Sequence, residues 1–450
     1  MRELPQGWAK CQLGDIVELK YGKSLPAKSR CSGEVEVYGS NGVIGVHNHP
    51  LTEGPTIVVG RKGSIGEIHF SPMPCFPIDT TYYVDEFYGQ DLQFIRYLLE
   101  TLGLTEMDRA SAIPGLNRED AYALDVEIPP KSEQQRIVAK LDSLFARTRQ
   151  GREELARIPA LIEHYKQAIL AAAFRGNLTA DWRSAHDPDP IKADGLGIDS
   201  RTGRLPGIPD EWAWTSLDAV SEISGGLTKN AQRREIEQRV PYLRVANVYA
   251  NELRLDDVKE IGCTDRELEK TQLEAGDLLV VEGNGSIEQI GRVAIWGGSI
   301  SPCSHQNHLI RVRPNEKVIS HYILFWMLSP LGRQYIERVA SSSSGLHTLS
   351  ISKVSGLALP LCTPDEMKEV VRHIEYAFSW LDTVLSESNQ ARYLLDHLDQ
   401  ATLAKAFRGE LVPQDPNDEP ASVLLDRIRA ERANGVNPRR THQKKHSTVG

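Results

Sequence analysis

The chain has 450 residues, of which 40% are hydrophobic and 25% charged, an ordinary globular composition with enough apolar material for more than one core and about two to four domains. Its 61 acidic residues against 52 lysines and arginines give a formal net charge of −9; this excludes the uniformly basic character of a non-specific nucleic-acid coat protein but leaves room for a local basic surface. Cys11, Cys31, Cys75, Cys263, Cys303 and Cys362 are scattered without a C-x-x-C pair, which argues against a disulfide framework or a zinc ribbon. Met1 to Trp8 carries no apolar leader, and the longest apolar run, Ile323 to Leu328, is too short to span a bilayer. These features predict a cytoplasmic protein that does not enter a membrane.

In chain order, residues 1–130 read as a mixed globular block. It contains a strand at Thr56–Val59, a glycine-rich turn after it, and an amphipathic helix from Asp91 to Leu102. Residues 131–183 read as a long helix. Ser132 is its N-cap, Ile137, Leu141, Leu144 and Thr148 form a seam, Ile162, Tyr165 and Ile169 continue the apolar face, and Gly176 ends it. Pro159 is predicted to kink or split this helix. Ser184 to Asp210 is rich in Pro, Gly and Asp and predicts a linker, with residues 184–207 at its heart. A second globular block, 208–362, shows strands at Leu278–Val281, Arg292–Trp296 and His308–Arg313 and a helix from His321 to Leu331. Residues 363–412 form a second long helix. Thr363 caps it, Val370, Ile374, Ala377, Leu381 and Val384 form its seam, Leu395, Leu398 and Thr402 extend the face, and Gly409 ends it. Residues 413–450 hold a loop, a short helix from Ala421 to Arg432 and a basic tail (Arg439, Arg440, Lys444, Lys445) expected to be disordered.

The two helical blocks are copies. Gln167–Leu178 aligns without gaps on Gln400–Leu411 with nine of twelve positions identical. In the same register Glu133–Val138 falls on Glu366–Val371 and Phe145 on Phe378. Leu4-Pro-Gln-Gly-Trp8 resembles Ile208-Pro-Asp-Glu-Trp212, and Thr56–Gly66 faintly echoes Leu278–Ile287. The globular blocks otherwise share little beyond a few glycine turns. A helix of this length, ~65 Å, does not fold alone in water. A duplicated seam offers each copy a matched partner, so we expect an antiparallel helix pair rather than two helices packed separately on their own domains.

Catalytic motifs are missing. There is no G-x-x-x-x-G-K-[ST] phosphate cradle, and Gly63-Ser-Ile-Gly66 lacks the lysine and reads as a turn. There is no N-P-P-[YF] element to position a flipped base, no metal-nuclease E-x-K after Asp79, and no G-x-S-x-G elbow. The nearest metal-like segment is Cys303-Ser-His305-Gln-Asn-His308. As a strand it puts Cys303 and His305 on one face and His308 on the other, so core or hydrogen-bonding histidines are expected there and at His47 and His49. What remains is a set of polar, glycine-rich loops: Tyr38–Gly42, Arg61–Gly66, Ile113–Arg118, Asn284–Ser286 and Ser341–His347. Such loops bring backbone N–H groups and side chains to phosphates or base edges, or serve simply as solvated turns.

The order of a variable block, a repeated helix, a variable block and the helix again resembles the specificity subunit of type I restriction-modification enzymes. The resemblance rests on Ile128-Pro-Pro-Lys-Ser-Glu-Gln-Gln-Arg-Ile-Val138 and Ala173–Leu178, on their second copies Leu359–Val371 and Ala406–Leu411, and on the Leu-Pro-x-Gly-Trp opening. The second copy departs from P-x-x-E-Q, reading Pro364-Asp-Glu366-Met367. The resemblance implies an α+β fold: two globular target recognition domains, two long helices packed as an antiparallel coiled coil, and a pseudo-two-fold internal repeat. It implies that each recognition domain reads one half of a bipartite asymmetric double-stranded DNA target and that the helices set the gap. Two methyltransferase (modification) subunits are expected to dock on those helices, directing adenine methylation, and restriction/translocase subunits to join. S-adenosylmethionine, ATP and Mg are expected on those partners, with no catalysis, cofactor or metal in this chain. The candidate DNA-binding residues are Tyr38, Asn41, Arg61, Lys62, Ser64, Asn117 and Arg118 in the first block. In the second block they are Arg244, Asn247, Asn284, Ser286, His347 and Lys353. Phe174, Arg175, Phe407 and Arg408 are the candidate partner-binding residues, with a helix-end packing motif as the competing reading. A coiled-coil adaptor that binds only proteins, and a self-contained enzyme, are the other functional classes considered.

Overall fold

The computed structural model describes residues 3–110, 115–192, 205–343 and 346–435. The chain forms two compact units, Met1–Leu155 with Gln390–Gly450 and Ala156–Asn389, so each unit takes one variable block, the first part of one long helix and the last part of the other.

In the first unit, Ala9–Gln12 pairs antiparallel with Asp125–Ile128. A four-stranded sheet follows the order Lys20–Tyr21, Thr81–Val84, Thr56–Gly60, Ile68–Ser71. A three-stranded sheet joins Gly42–His47, Val35–Gly39 and Phe76–Pro77, the last pair parallel. Thr56–Gly60 is buried along its whole length, as a continuous β-branched run at the centre of a sheet requires. The helix Leu92–Thr101 begins where the Asp91 carboxylate accepts from the Gln93 and Phe94 N–H groups, at 2.9 and 3.0 Å. Its Phe94, Ile95 and Leu98 share a core with Ile57 and Val59.

The second unit repeats this plan element by element. Ala213–Ser216 pairs with Ala358–Leu361. Ser221–Gly225, Leu309–Pro314, Leu278–Val281 and Val293–Ile295 form the four-stranded sheet, and Lys259–Gly262, Arg239–Leu243 and Ser304–His305 the three-stranded one, again with a parallel last pair. The variable blocks therefore share a topology that their sequences conceal. Many apolar strands satisfy the same sheet, and only tight spots fix the residue type. Gly22 and Gly226 are such spots: a Cβ there would lie 2.1 Å from the Ile78 carbonyl oxygen and 2.2 Å from that of His305. The second unit adds a hairpin, Val248–Tyr249 with Glu252–Leu253, and a helix, Asp265–Thr271. The expected helix from His321 to Leu331 is two helices, Ser320–Leu328 and Pro330–Val339. Ser329 accepts from the Gly332 N–H, and Pro330 takes the first helical turn, because a proline preceded by serine starts a helix more readily than it continues one.

The long helices are Lys131–Ala173 and Pro364–Ala406, 43 residues each. The first runs through Pro159 without a break, so the predicted split does not occur. Within the first unit the two helices pack antiparallel, with Phe145 and Leu403 lining one cleft and Arg152 bonded to Asp396 and Asp399 at 2.9 and 2.7 Å. In the second unit Lys166 bonds Asp382 at 2.7 Å and stands over the Phe378 ring. The seam residues Ile137, Leu141, Val370, Ile374 and Leu381 are buried. Leu141–Gln150 and Ile374–Thr383 show the same succession of buried and exposed positions. Tyr165 and Leu398, expected on the apolar face, are instead 56% and 52% exposed. Ile162 and Thr402, expected on the same face, are buried, as are Leu170, Ala173 and Ala406.

Each helix start is tied to its variable block by the same device. Trp8 donates its indole N–H to Glu133 at 3.1 Å, and Trp212 donates to Glu366 at 2.9 Å. The segment Ser184–Asp210, read as linker, begins inside a short helix, Ala180–His186. The C-terminal helix Ala421–Gly435 buries Ala421, Leu424, Leu425 and Ile428 in the first unit's core. The basic tail lies outside the described residues. Among the described residues no helix is long and apolar enough to cross a membrane.

Candidate nucleic-acid interface

The polar loops singled out in the two blocks occupy one backbone position. In the first unit the strand Thr56–Gly60 runs out into Arg61, whose N–H donates to the Thr80 carbonyl at 2.9 Å and whose carbonyl accepts from Leu116 at 2.9 Å. In the second, Leu278–Val281 runs out into Glu282, whose N–H donates to the His308 carbonyl at 3.0 Å and whose carbonyl accepts from Leu349 at 2.7 Å. Gly66 and Gly291 close the two loops with φ of +71° and +66°, a conformation that favours glycine.

Around Arg61 the structure gathers most of the first block's candidates. The Arg61 guanidinium donates to the Asp79 carbonyl at 3.1 Å and sits 5.0 Å from the centre of the Tyr21 ring. Arg118 sits 5.2 Å from the same ring. Asn117 caps the short helix Arg118–Tyr122 by accepting from Glu119 at 2.9 Å. Lys62 is exposed and Ser64 half-buried in the same loop. The hairpin tip approaches this loop, since a Cβ on Gly63 would meet the Ser40 hydroxyl at 3.1 Å; Asn41 is exposed beside Ser40. Tyr38 is not on this surface. It is buried, its hydroxyl donates to Glu36 at 2.7 Å, and burial pushes its phenol up to about 12. Ile113 and Pro114 of the loop Ile113–Arg118 lie outside the described residues.

In the second unit Asn284 faces His347 across an antiparallel pair. The Asn284 side chain accepts from the Ser286 N–H at 3.0 Å, and the Ser286 hydroxyl donates to Glu288. Lys353 lies on the short helix Ile351–Ser355, the counterpart of Arg118–Tyr122. Arg244 and Asn247 belong to another place. Arg244 pairs with Asp257 at 2.9 Å. Asn247 is 2% exposed, accepts from the Arg244 N–H at 2.9 Å and donates to the carbonyls of Arg254 and Asp257 at 2.8 and 3.2 Å. Its amide is committed to the shape of its own loop and cannot reach a base edge.

Of the partner-binding candidates Phe174 is interior and Phe407 half-buried. Phe174 is fully buried between Tyr322 and Trp326, with ring centres 5.2 and 5.3 Å away. Phe407 packs on Phe94 at 5.3 Å. Arg175 and Arg408 are exposed at the helix ends, Arg408 paired with Glu410 at 2.9 Å. The repeated Phe-Arg dipeptide thus turns its ring onto the core and its cation to water. His305 and Cys303 are buried; burial, with Arg311 beside it, lowers the His305 imidazole to about 4 while its Nδ1 contacts the Thr271 carbonyl at 3.2 Å. His308 faces Glu282 at 3.1 Å, and His47 accepts from the Cys31 N–H at 3.1 Å. Among the described residues no group of three or more His, Cys, Asp or Glu could hold a metal ion.

Tyr21, Glu282 and His308 were not identifiable from the sequence as part of these surfaces. No motif marks them, and only the shared topology puts Glu282 where Arg61 stands.

Residues 5–159 match the family model described as a type I restriction modification DNA specificity domain. Over 443 residues the chain is 26% identical to the EcoDI specificity subunit of Escherichia coli, covering 96% of each chain. Over 323 residues it is 29% identical to the EcoKI specificity subunit of Escherichia coli K12, covering 69% of this chain and 64% of that subunit. A chain solved in work on complex assembly and conformational transition of the type I R-M system is 17% identical, with a TM-score of 0.62 over 91% of this chain and 100% of that one. The HsdS subunit from Thermoanaerobacter tengcongensis, also 17% identical, gives 0.54 over 91% of this chain and 99% of that one. The structural matches establish a common fold, and the match to the EcoDI subunit runs through both variable blocks and both helices: over almost its whole length the chain is similar to a type I restriction-modification specificity subunit.

Proposed function

We propose that this chain is the non-catalytic DNA-specificity subunit of a cytoplasmic type I restriction-modification complex. Each unit reads one half of a bipartite, asymmetric target, and the two long helices set the gap between the halves. The observation that carries this is the pair of polar surfaces built at one backbone position of a duplicated fold, Arg61 in one unit and Glu282 in the other. A duplicated frame with unlike reading side chains suits an asymmetric target, whereas identical readers favour a palindrome. Methylation of an adenine needs that base flipped into a pocket. The proposal assigns the pocket, with S-adenosylmethionine, to methyltransferase subunits, and ATP and Mg to restriction/translocase subunits.

The long helices suit docking of such partners. Leu161 and Tyr165 in the first helix, and Leu394 and Leu398 at the matching repeat positions of the second, are each more than half exposed. Large apolar side chains recurring at equivalent exposed positions fit two similar partners.

The test is modification-sensitive sequencing of genomic DNA from cells expressing the cognate methyltransferase with and without this chain. Chain-dependent adenine methylation in a split motif with a fixed gap is expected, and exchanging residues 1–130 should change one half only. Stable co-purification without chain-dependent methylation would favour the protein-binding adaptor instead.

A further inference from the structure

We propose that the first unit reads a G·C pair through two arginine forks, Arg61 and Arg118, held on the exposed ring of Tyr21, and that the second unit, with Glu282 at the position of Arg61, reads its half by accepting a hydrogen bond from a base amino group. This rests on the specificity reading above and extends it to the chemistry of each half-site.

The first part follows from how the two guanidiniums are held. Their carbons lie 5.0 and 5.2 Å from the centre of one tyrosine ring, within the range in which a cation is attracted to an aromatic face. Tyr21 itself is 49% exposed and braced edge-on by Tyr82 at 5.0 Å, so the ring is a fixed platform at the surface. One Arg61 nitrogen donates to the Asp79 carbonyl, which orients the fork and leaves other donors of the five on each guanidinium. Besides the rings of Tyr21 and Tyr122, Arg118 meets the exposed Glu119 carboxylate at 3.3–3.4 Å, a long contact that an incoming acceptor can displace. Oriented guanidinium forks match the two acceptors, O6 and N7, that guanine alone presents in the major groove. A flexible ammonium suffices for a phosphate, and the exposed Lys62 beside Arg61 offers one.

The second part follows from the exchange of sign at one backbone position. Arg61 and Glu282 make the same two main-chain hydrogen bonds, yet one side chain only donates and the other only accepts. Glu282 pairs with His308, 57% exposed, at 3.1 Å. Asn284 and His347 face each other across a pair of strands in the small sheet that follows Glu282. A carboxylate in that place repels phosphate and accepts from cytosine N4 or adenine N6.

The experiment maps methylated motifs in cells carrying the complete complex with the wild-type chain or with Arg61→Lys, Arg118→Lys, Tyr21→Phe, Tyr21→Ala or Glu282→Gln. Exchange of residues 1–130 identifies the half-motif that belongs to the first unit. That half is expected to contain an invariant guanine. Each Arg→Lys change keeps the charge but not the fork, and should cut discrimination at that position by about 5- to 150-fold with the other half untouched. Tyr21→Phe should preserve the motif and Tyr21→Ala should relax the same guanine, a pattern that a general loss of stability does not produce. Glu282→Gln should alter one base of the other half. An invariant guanine missing from the first half, lysine variants that keep the full motif, or an unaltered second half with Glu282→Gln would each overturn the proposal while leaving the specificity reading intact. Absence of any chain-dependent motif in the wild type would remove both.

Discussion

Glu133 and Glu366 occupy the same position of the repeat but should respond oppositely to one substitution. Glu366 accepts from the Thr179 hydroxyl at 2.7 Å, the Trp212 indole at 2.9 Å and the Arg183 guanidinium, and its side chain is 1% exposed. Glu366→Gln strips the nearer of two counter-charges from an arginine that is itself only 11% exposed, leaving it Glu211 at 3.7 Å. Breaking a buried ion pair costs up to about 3–5 kcal/mol, or up to roughly 6–20 °C of Tm for a unit of this size, and the longer, more exposed pair with Glu211 offsets only part of that. Glu133 is as deeply buried, but its donors are neutral. Trp8 and Gln414 both bond one oxygen, at 3.1 and 3.2 Å, and the other oxygen has no partner. Its neighbour Arg136 is committed to Asp418 at 2.6 Å. Glu133→Gln keeps an acceptor for both donors and removes a buried charge, so its effect should lie within about 1 kcal/mol of zero and favour stability. Burial raises the Glu133 pKa above the ordinary 4.5, so the folded state holds that proton more tightly than the unfolded one. Wild-type stability should therefore fall as pH rises from about 4.5 through the raised value and then level off, and Glu133→Gln should lack that slope. Urea unfolding of the full chain, with hydrogen exchange assigning each loss to a unit, measures both variants. Equal losses from the two substitutions would refute the reasoning, because sequence position would then outweigh the charge of the partner.

Three further outcomes follow from the same geometry. His305, whose pKa is lowered to about 4 by burial, must stay neutral in the fold; the second unit should lose up to ~3 kcal/mol as pH falls from 6.5 through that value, and His305→Asn should flatten the slope in acid unfolding curves. Phe174→Ala should cost about 3–5 kcal/mol of the second unit's stability, whereas Arg175→Ala should leave stability unchanged and, if the exposed cation meets a partner, weaken co-purification with the methyltransferase. Asn247→Ala should cost about 1–3 kcal/mol by stranding the carbonyls of Arg254 and Asp257, with no change of methylated motif, while Asn117→Ala should cost about 1 kcal/mol through its cap.

The helices were legible because repetition and a seven-residue period are properties of the sequence itself. Leu141 and Ile374 could be placed in the seam without coordinates. The globular blocks were legible only as strands and turns. A sheet asks for apolar alternation, which many sequences supply, so the common topology of residues 9–128 and 213–361 left little in common beyond the faint echo of Thr56–Gly66 in Leu278–Ile287, Gly22 and Gly226, and a few closing glycines. The pairings of Trp8 with Glu133 and Trp212 with Glu366 were half visible: both members recur, but nothing in a linear reading joins residues 125 or 154 positions apart. The polar candidates divide by burial, which composition cannot report. Arg61 and Arg118 reach the surface, Tyr38 and Asn247 do not, and Tyr21 escaped notice because a lone tyrosine near a lysine carries no pattern. Pro159 does not split its helix, because tertiary packing outweighs the proline's local preference over 43 residues.

The strand pairs Ala9–Gln12 with Asp125–Ile128 and Ala213–Ser216 with Ala358–Leu361 have a consequence for how such chains diversify. Each variable block starts and finishes on two hydrogen-bonded neighbours, in register from Ala9 opposite Ile128 to Gln12 opposite Asp125, and from Ala213 opposite Leu361 to Ser216 opposite Ala358. The whole block is thus a cassette with adjacent ends. A recombination event at those borders can replace everything between them while presenting the same two strands to the long helices, so new binding chemistry can be acquired in one step without renegotiating the rest of the molecule.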